Sequence, residues 1–280
     1  MSLVGEARVS RPGAPWRIMG VLNVTPDSFS DGGEWFDRTD AVAHGRDLVA
    51  EGAAILDVGG ESTRPGSEPI PSDEEQRRVV PVIAALRDAG AQLSVDTSKL
   101  AVAEAALAAG ATFVNDVTAF RAEPELAGLV ADAGCECCLM HMRGEPRTMQ
   151  DDPRYGDVVD DVRAFLEARA AFAVAEGVRE QRITVDPGIG FGKTARHNLE
   201  LLARLGELAT LGFPVMVGTS RKSFLGRITG RDDPHERVAA TVATSVLALE
   251  RGASILRVHD VAPTRDALLV TAATLGAHGA

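Results

Sequence analysis

Seven times along this chain an Ala-, Leu- or Arg-rich stretch ends in glycine and a short apolar run follows. The joins are Glu51-Gly52, Ala89-Gly90, Ala109-Gly110, Ala133-Gly134, Glu176-Gly177, Leu211-Gly212 and Arg251-Gly252. Glycine just past a helix end suits the left-handed C′ position. Together with a first run near the N-terminus, the apolar segments predict eight strands: 18–24, 54–58, 92–95, 112–117, 136–142, 183–185, 215–218 and 254–258. Stripes such as Val79, Val82, Ile83 and Leu86 mark the intervening helices. Eight near-continuous apolar strands alternating with helices over 280 residues predict an α/β fold, a single-domain (β/α)8 TIM barrel over residues 17–280. Residues 1–16 read as a tail or small hairpin. A doubly wound open sheet competes, but no glycine-rich dinucleotide fingerprint follows the first strand.

In such a barrel the active site forms at the C-terminal strand ends. Those ends carry Asn23, Asp57, Asp96, Asn115-Asp116, His141, Asp186, Ser220-Arg221-Lys222, and Arg257 with His259-Asp260. Any one polar strand end is ordinary; eight of eight is not. The sixth strand delivers Asp186 into Pro187-Gly188-Ile189-Gly190-Phe191-Gly192-Lys193, where proline blocks helix and the glycines permit close backbone approach to a flat ligand; helix is predicted to start only near His197-Asn198-Leu199. A simple capping acid would explain Asp186 alone.

The chain has three lysines, Lys99, Lys193 and Lys222, and each lies just beyond a strand end. Lys222, in Ser220-Arg221-Lys222, is read as functional; Lys99 and Lys193 are read as structural. Three strand-to-helix loops, 25–36, 59–72 and 143–157, are long and contain glycine, as lids and binding loops are. The strand-end residues divide into a donor-rich half (Thr63, Arg64, Ser220, Arg257, His259) suited to phosphate or carboxylate, and an acceptor-rich half (Asp96, Asn115, Asp186) suited to a heterocycle with N–H groups on one edge. Lys222 could meet a ring carbonyl or nitrogen. Asn23 offers a neutral oxygen to Mg²⁺, a cation that often bridges substrate phosphates.

A net charge of −11 without a basic stretch argues against nucleic-acid binding. No apolar run reaches membrane-spanning length, and no basic-then-apolar leader opens the chain. Cys135, Cys137 and Cys138 crowd one strand, too close for ordinary disulfides, which suggests a reducing cytoplasm. With no second Cys/His cluster to complete a tetrahedral set, they read as small buried residues.

The stretches Ile18-Met19-Gly20-Val21-Leu22-Asn23-Val24-Thr25-Pro26-Asp27-Ser28-Phe29-Ser30-Asp31-Gly32-Gly33 and Asp57-Val58-Gly59-Gly60-Glu61-Ser62-Thr63-Arg64-Pro65-Gly66 resemble the two signatures of the dihydropteroate synthases, a pterin-binding barrel family. Ser94–Lys99, Asn115-Asp116, Met140-His141-Met142, Asp186–Lys193, Ser220-Arg221-Lys222 and Arg257-Val258-His259-Asp260 fit in the same order. The resemblance runs from about Ile18 to the last helix, with no departure at a polar motif position.

The resemblance implies a transferase of folate biosynthesis, in which 4-aminobenzoate displaces pyrophosphate from 6-hydroxymethyl-7,8-dihydropterin diphosphate to give 7,8-dihydropteroate. By motif position, Asp96, Asn115, Asp186 and Lys222 would hold the pterin, with Met140, Phe191 and Gly218 lining its pocket. Thr63, Arg64, Arg257 and His259 would contact the diphosphate. Ser220, Pro65 and Phe29 would border the aminobenzoate, and Asn23 would bind Mg²⁺. The family suggests a homodimer. A methyltetrahydrofolate methyltransferase would share the acidic pterin site but needs no diphosphate clamp. A metal-dependent barrel hydrolase would need more strand-end histidines, and a silent pterin-binding protein would not need Asn23, Arg64, Lys222 and Arg257 together.

Overall fold

The computed structural model describes residues 16–25, 38–63, 66–145 and 147–277. Its first half runs β1 (Arg17–Asn23), α1 (Arg38–Glu51), β2 (Ile55–Gly59), α2 (Ser72–Leu86), β3 (Gln92–Asp96), α3 (Leu100–Ala109), β4 (Phe113–Asp116), α4 (Leu126–Ala133) and β5 (Glu136–Met140). The second half runs α5 (Val158–Ala175), β6 (Ile183–Asp186), α6 (Ala195–Ala203), α7 (Leu205–Ala209), β7 (Met216–Val217), α8 (Ser223–Thr229), α9 (Val238–Glu250), β8 (Ile255–Val258) and α10 (Val261–Ala277). All strand pairs are parallel, in the order β6-β5-β4-β3-β2-β1-β8-β7, and a bridge between Val185 and Val215 joins the two ends into a barrel.

The predicted architecture and strand positions hold, with ends shifted by one or two residues. Helix α6 starts at Ala195 rather than near His197. Thr194 caps it: its hydroxyl accepts from His197 N, and His197 Nδ1 accepts from Thr194 N. A histidine stands where a capping box usually places Glu or Gln, so the start signal is easily missed.

Alternation within the strands creates two layers inside the barrel. Met19, Ile55, Phe113, Cys138, Met216 and Ile255 form one buried apolar cluster. Two residues further along the same inward-facing parity come Val21, Asp57, Asn115, Met140, Gly218 and Arg257. The interior therefore changes, over one pleat towards the C-terminal ends, from wholly apolar to a layer that carries Asp57, Asn115 and Arg257. The residues of opposite parity, among them Leu22, Leu56, Val58, Val114 and Leu256, pack in the large outer core under the helices.

The cysteines are free and buried, and Cys138 belongs to the inner apolar layer. Burial pushes the Cys135 thiol up to about 11, so it behaves as an apolar filler rather than a nucleophile.

Candidate active site

Arg257 on β8 lies at the centre of the polar layer. Its Nε donates to Asp57 Oδ2 at 2.6 Å and its Nη2 to Asp96 Oδ2 at 2.7 Å, so one guanidinium bridges the carboxylates of β2 and β3. Asp57 is fully buried and fully engaged: Oδ1 accepts from Ser94 Oγ at 2.6 Å, and Oδ2 also accepts from Asn115 Nδ2 at 2.9 Å. Asp96 is not. Its Oδ1 is buried and has no hydrogen-bond partner. A carboxylate oxygen removed from water and left unpaired is costly, so it marks a place prepared for a donor. The Asp96 carboxyl is pushed up to about 7, chiefly by burial; Arg257 opposes the shift, and the charges of Asp57, Glu75 and Asp116 add to it.

The turn after β6 supplies the opposite wall. Gly188 N donates to Asp186 Oδ1 at 2.6 Å and fixes the carboxylate's direction. Gly188 has φ +65°, and a Cβ there would lie 1.9 Å from His141 O, so only glycine fits between the turns after β5 and β6. Lys222, the residue before α8, donates to Ile189 O and places its Nζ 4.7 Å from the centroid of Phe191. Burial lowers Lys222 to about 8, against the raising influence of Asp186. Burial raises Asp186, and Lys222 opposes that shift. Phe191 packs on the buried cluster of Val117, Met140, Met142 and Met149, giving an apolar, sulfur-rich surface beside the charged groups.

Ser220 Oγ accepts from His259 N at 3.1 Å and lies 2.9 Å from His259 Nδ1, which ties the turn after β7 to the end of β8. Arg221, with φ +58°, forks onto both oxygens of Asp260 at 2.6 and 3.0 Å and braces the same junction. The strand ends thus bring together several carboxylate acceptors, one ammonium and one guanidinium above the apolar layer.

Residues 19–259 match the family model described as pterin binding enzyme. The dihydropteroate synthase of Neisseria meningitidis serogroup C is 48% identical over 255 residues, covering 90% of each chain. The chain belongs to the dihydropteroate synthase family. The Xanthomonas albilineans dihydropteroate synthase solved with 4-aminobenzoic acid superposes with a TM-score of 0.88 at 50% identity, covering 93% of each chain. The structure of that enzyme in complex with 7,8-dihydropteroate superposes at 0.84 with 47% identity, covering 93% of this chain and 94% of that one.

Within this family member, Asp96, Asn115 and Arg257 join one network through Asp57, Lys222 packs on the turn that Asp186 opens, and Met140 and Phe191 share one apolar wall. Gly218 lies beside Arg257: a Cβ there would stand 3.6 Å from Arg257 Cβ, an ordinary contact, so packing alone does not demand glycine. Thr63 is half-buried in the loop after β2, and Asn23 ends β1. Phe29, Arg64 and Pro65 lie outside the described residues. Arg257, read with the donor-rich half, stands between the two halves: its Nε and Nη2 hold Asp57 and Asp96. Asp57 holds the network together yet stands out in the sequence only as one strand end among eight. Its signal is parity: it lies two residues past the inward-facing Ile55, as Arg257 does past Ile255.

Replacing Asp57 by Ala leaves Arg257 half-paired and Ser94 and Asn115 without their shared acceptor. Removing one partner of a buried pair typically costs about 3–5 kcal/mol. A urea unfolding series is expected to show a loss of that order.

Proposed function

We propose that this chain catalyses the dihydropteroate synthase reaction, joining 4-aminobenzoate to 6-hydroxymethyl-7,8-dihydropterin diphosphate with release of pyrophosphate in folate biosynthesis. The observation that carries the reading is the unpaired, buried Asp96 Oδ1, set beside Asn115 and opposite Asp186. Three acceptors on rigid strand ends suit the N–H groups of a pterin edge. In this reading Asp96, Asn115 and Asp186 hold those donors and Lys222 donates to the ring carbonyl or ring nitrogen. Met140, Phe191 and Gly218 line the ring faces.

The barrier of such a displacement is charge separation as the C–O bond to the diphosphate breaks. Asp96 and Asp186 favour the cation left on the pterin. Arg257, His259, Thr63 and Arg64 receive the departing anion, as preorganised donors do in a site that excludes water. Ser220, Pro65 and Phe29 border the aminobenzoate. Its amine attacks as a neutral nucleophile, so the scheme calls for orientation rather than a strong base.

Mg²⁺ fits the donor set at Asn23, where one amide oxygen can take a single position of an ion otherwise held by water and diphosphate oxygens. When bound there, it would add positive charge against the leaving group.

We also propose a homodimer. Leu247 on α9 and Leu269 and Val270 on α10 are exposed apolar side chains on two helices that pack together, which suits contact with a second copy. No helix of the described residues is long and apolar enough to cross a membrane. Free, buried cysteines suit the reducing cytoplasm.

Pyrophosphate release that requires both substrates and Mg²⁺ is the expected result; a chain that binds pterin but releases none would be a binding protein instead. A second outcome follows from Asp96. Its carboxylate form accepts the pterin N–H, so affinity is expected to be full above pH 7 and to fall as pH drops, by about tenfold per unit well below that value. Calorimetry from pH 5 to 8 on wild type and Asp96→Asn checks it, the variant showing no such slope from this group.

A further inference from the structure

Lys99 is the residue before α3, and its ammonium makes three contacts. It donates to Glu61 Oε2 at 2.5 Å, to Glu75 Oε2 at 2.6 Å and to Ile70 O at 2.7 Å. Glu61 and Ile70 lie near opposite ends of the loop between β2 and α2, residues 60–71, while Glu75 lies on α2 and is only 1% exposed. Glu61 Oε2 also accepts from Ile70 N at 2.9 Å, so the two ends of the loop are joined directly as well. Arg78 on α2 donates to Gly60 O at 2.9 Å and to Glu74. A lysine that only tied α3 to α2 would need Glu75 alone. Here one cation grips both feet of the loop, and burial, which works to lower its pKa, is outweighed by the bonds to Glu61 and Glu75.

Thr63 stands two residues from Glu61. It lines a cavity of about 100 Å³ together with Glu61, Glu75 and Asp96. Glu75 Oε1, like Asp96 Oδ1, is buried there with no partner. The loop end that Lys99 holds therefore opens onto the same space as the orphaned acceptor of the candidate pterin site.

We propose that Lys99 is a positioning residue: through Glu61, Glu75 and the Ile70 carbonyl it sets the loop after β2 so that Thr63 reaches the diphosphate of the substrate. The proposal rests on the reaction proposed above. Three donors on one compact ammonium give it a fixed geometry that an apolar side chain cannot supply. A shift of about 1 Å in a substrate-positioning group can cost on the order of 100-fold in rate.

The test is a cycle of Lys99→Met, Thr63→Ala and the double variant, with kcat and KM for the pterin diphosphate, calorimetric affinity for a pterin lacking the diphosphate, and thermal unfolding. Lys99→Met is expected to lower kcat/KM on the order of 100-fold, while the diphosphate-free pterin still binds as in wild type. Thr63→Ala is expected to slow wild type but to add nothing to Lys99→Met, since the threonine is already misplaced. If Thr63→Ala is silent in wild type, or costs the same in both backgrounds, the positioning role is overturned. Should Lys99→Met not fold, Glu61→Gln, which removes the charge but can still accept from Ile70 N, replaces it in the same cycle with the same readings. Wild-type turnover decides the reaction separately from this cycle.

Discussion

Two carboxylates, Asp57 and Asp96, sit on neighbouring strands at the top of an apolar barrel interior, and one guanidinium makes that possible. Without Arg257, burying these like charges side by side would leave their repulsion and lost hydration uncompensated. With it, Asp57 becomes a hub that also orients Ser94 and Asn115, and Asp96 is held by one oxygen while the other remains open. A planar, permanently charged fork suits this task, whereas a lysine would place one point charge between the two acids. The rest of the site is built around that choice: the fixed Asp186 turn, the burial-weakened Lys222 and the Met-rich wall all face the opening it leaves.

The fold supports the arrangement by a simple device. Inward parity carries Ile55, Phe113 and Ile255 in one layer and Asp57, Asn115 and Arg257 in the next. The lower layer excludes water from beneath, so the charges above it interact more strongly than exposed ones would. The turns then lock the open rim. Lys193, itself 2% exposed, donates to Phe191 O and to His141 O and lies 2.8 Å from His141 Nδ1, clamping the turns after β5 and β6 together. Lys99 does the same for the loop after β2. Both lysines thus serve loops, while Lys222 packs on the turn that Asp186 opens and donates to Ile189 O.

Much of this was legible in the chain because parallel strands buried on both sides read as short apolar runs, and glycine marks nearly every helix end. The strand-end positions of Asp96, Asn115, Asp186, Lys222 and Arg257 follow from the same reading. What the chain does not display is partnership. Arg257 and Asp57 are 200 residues apart, and they meet because β8 and β2 both flank β1. A strand-end list gives each charge a height on the barrel but not a neighbour, so it does not show that Arg257 bridges Asp57 and Asp96. The start of α6 was missed for a local reason, the histidine in its capping box.

The central claim is that the open oxygen of Asp96 exists to receive a ring N–H. A high-resolution crystal structure with a bound pterin tests it most directly. The account predicts a pterin nitrogen within hydrogen-bond distance of Asp96 Oδ1, with the Arg257 bridge to Asp57 and Asp96 intact. A pterin seated elsewhere, or an Asp96 carboxylate turned away from the ring, would contradict it.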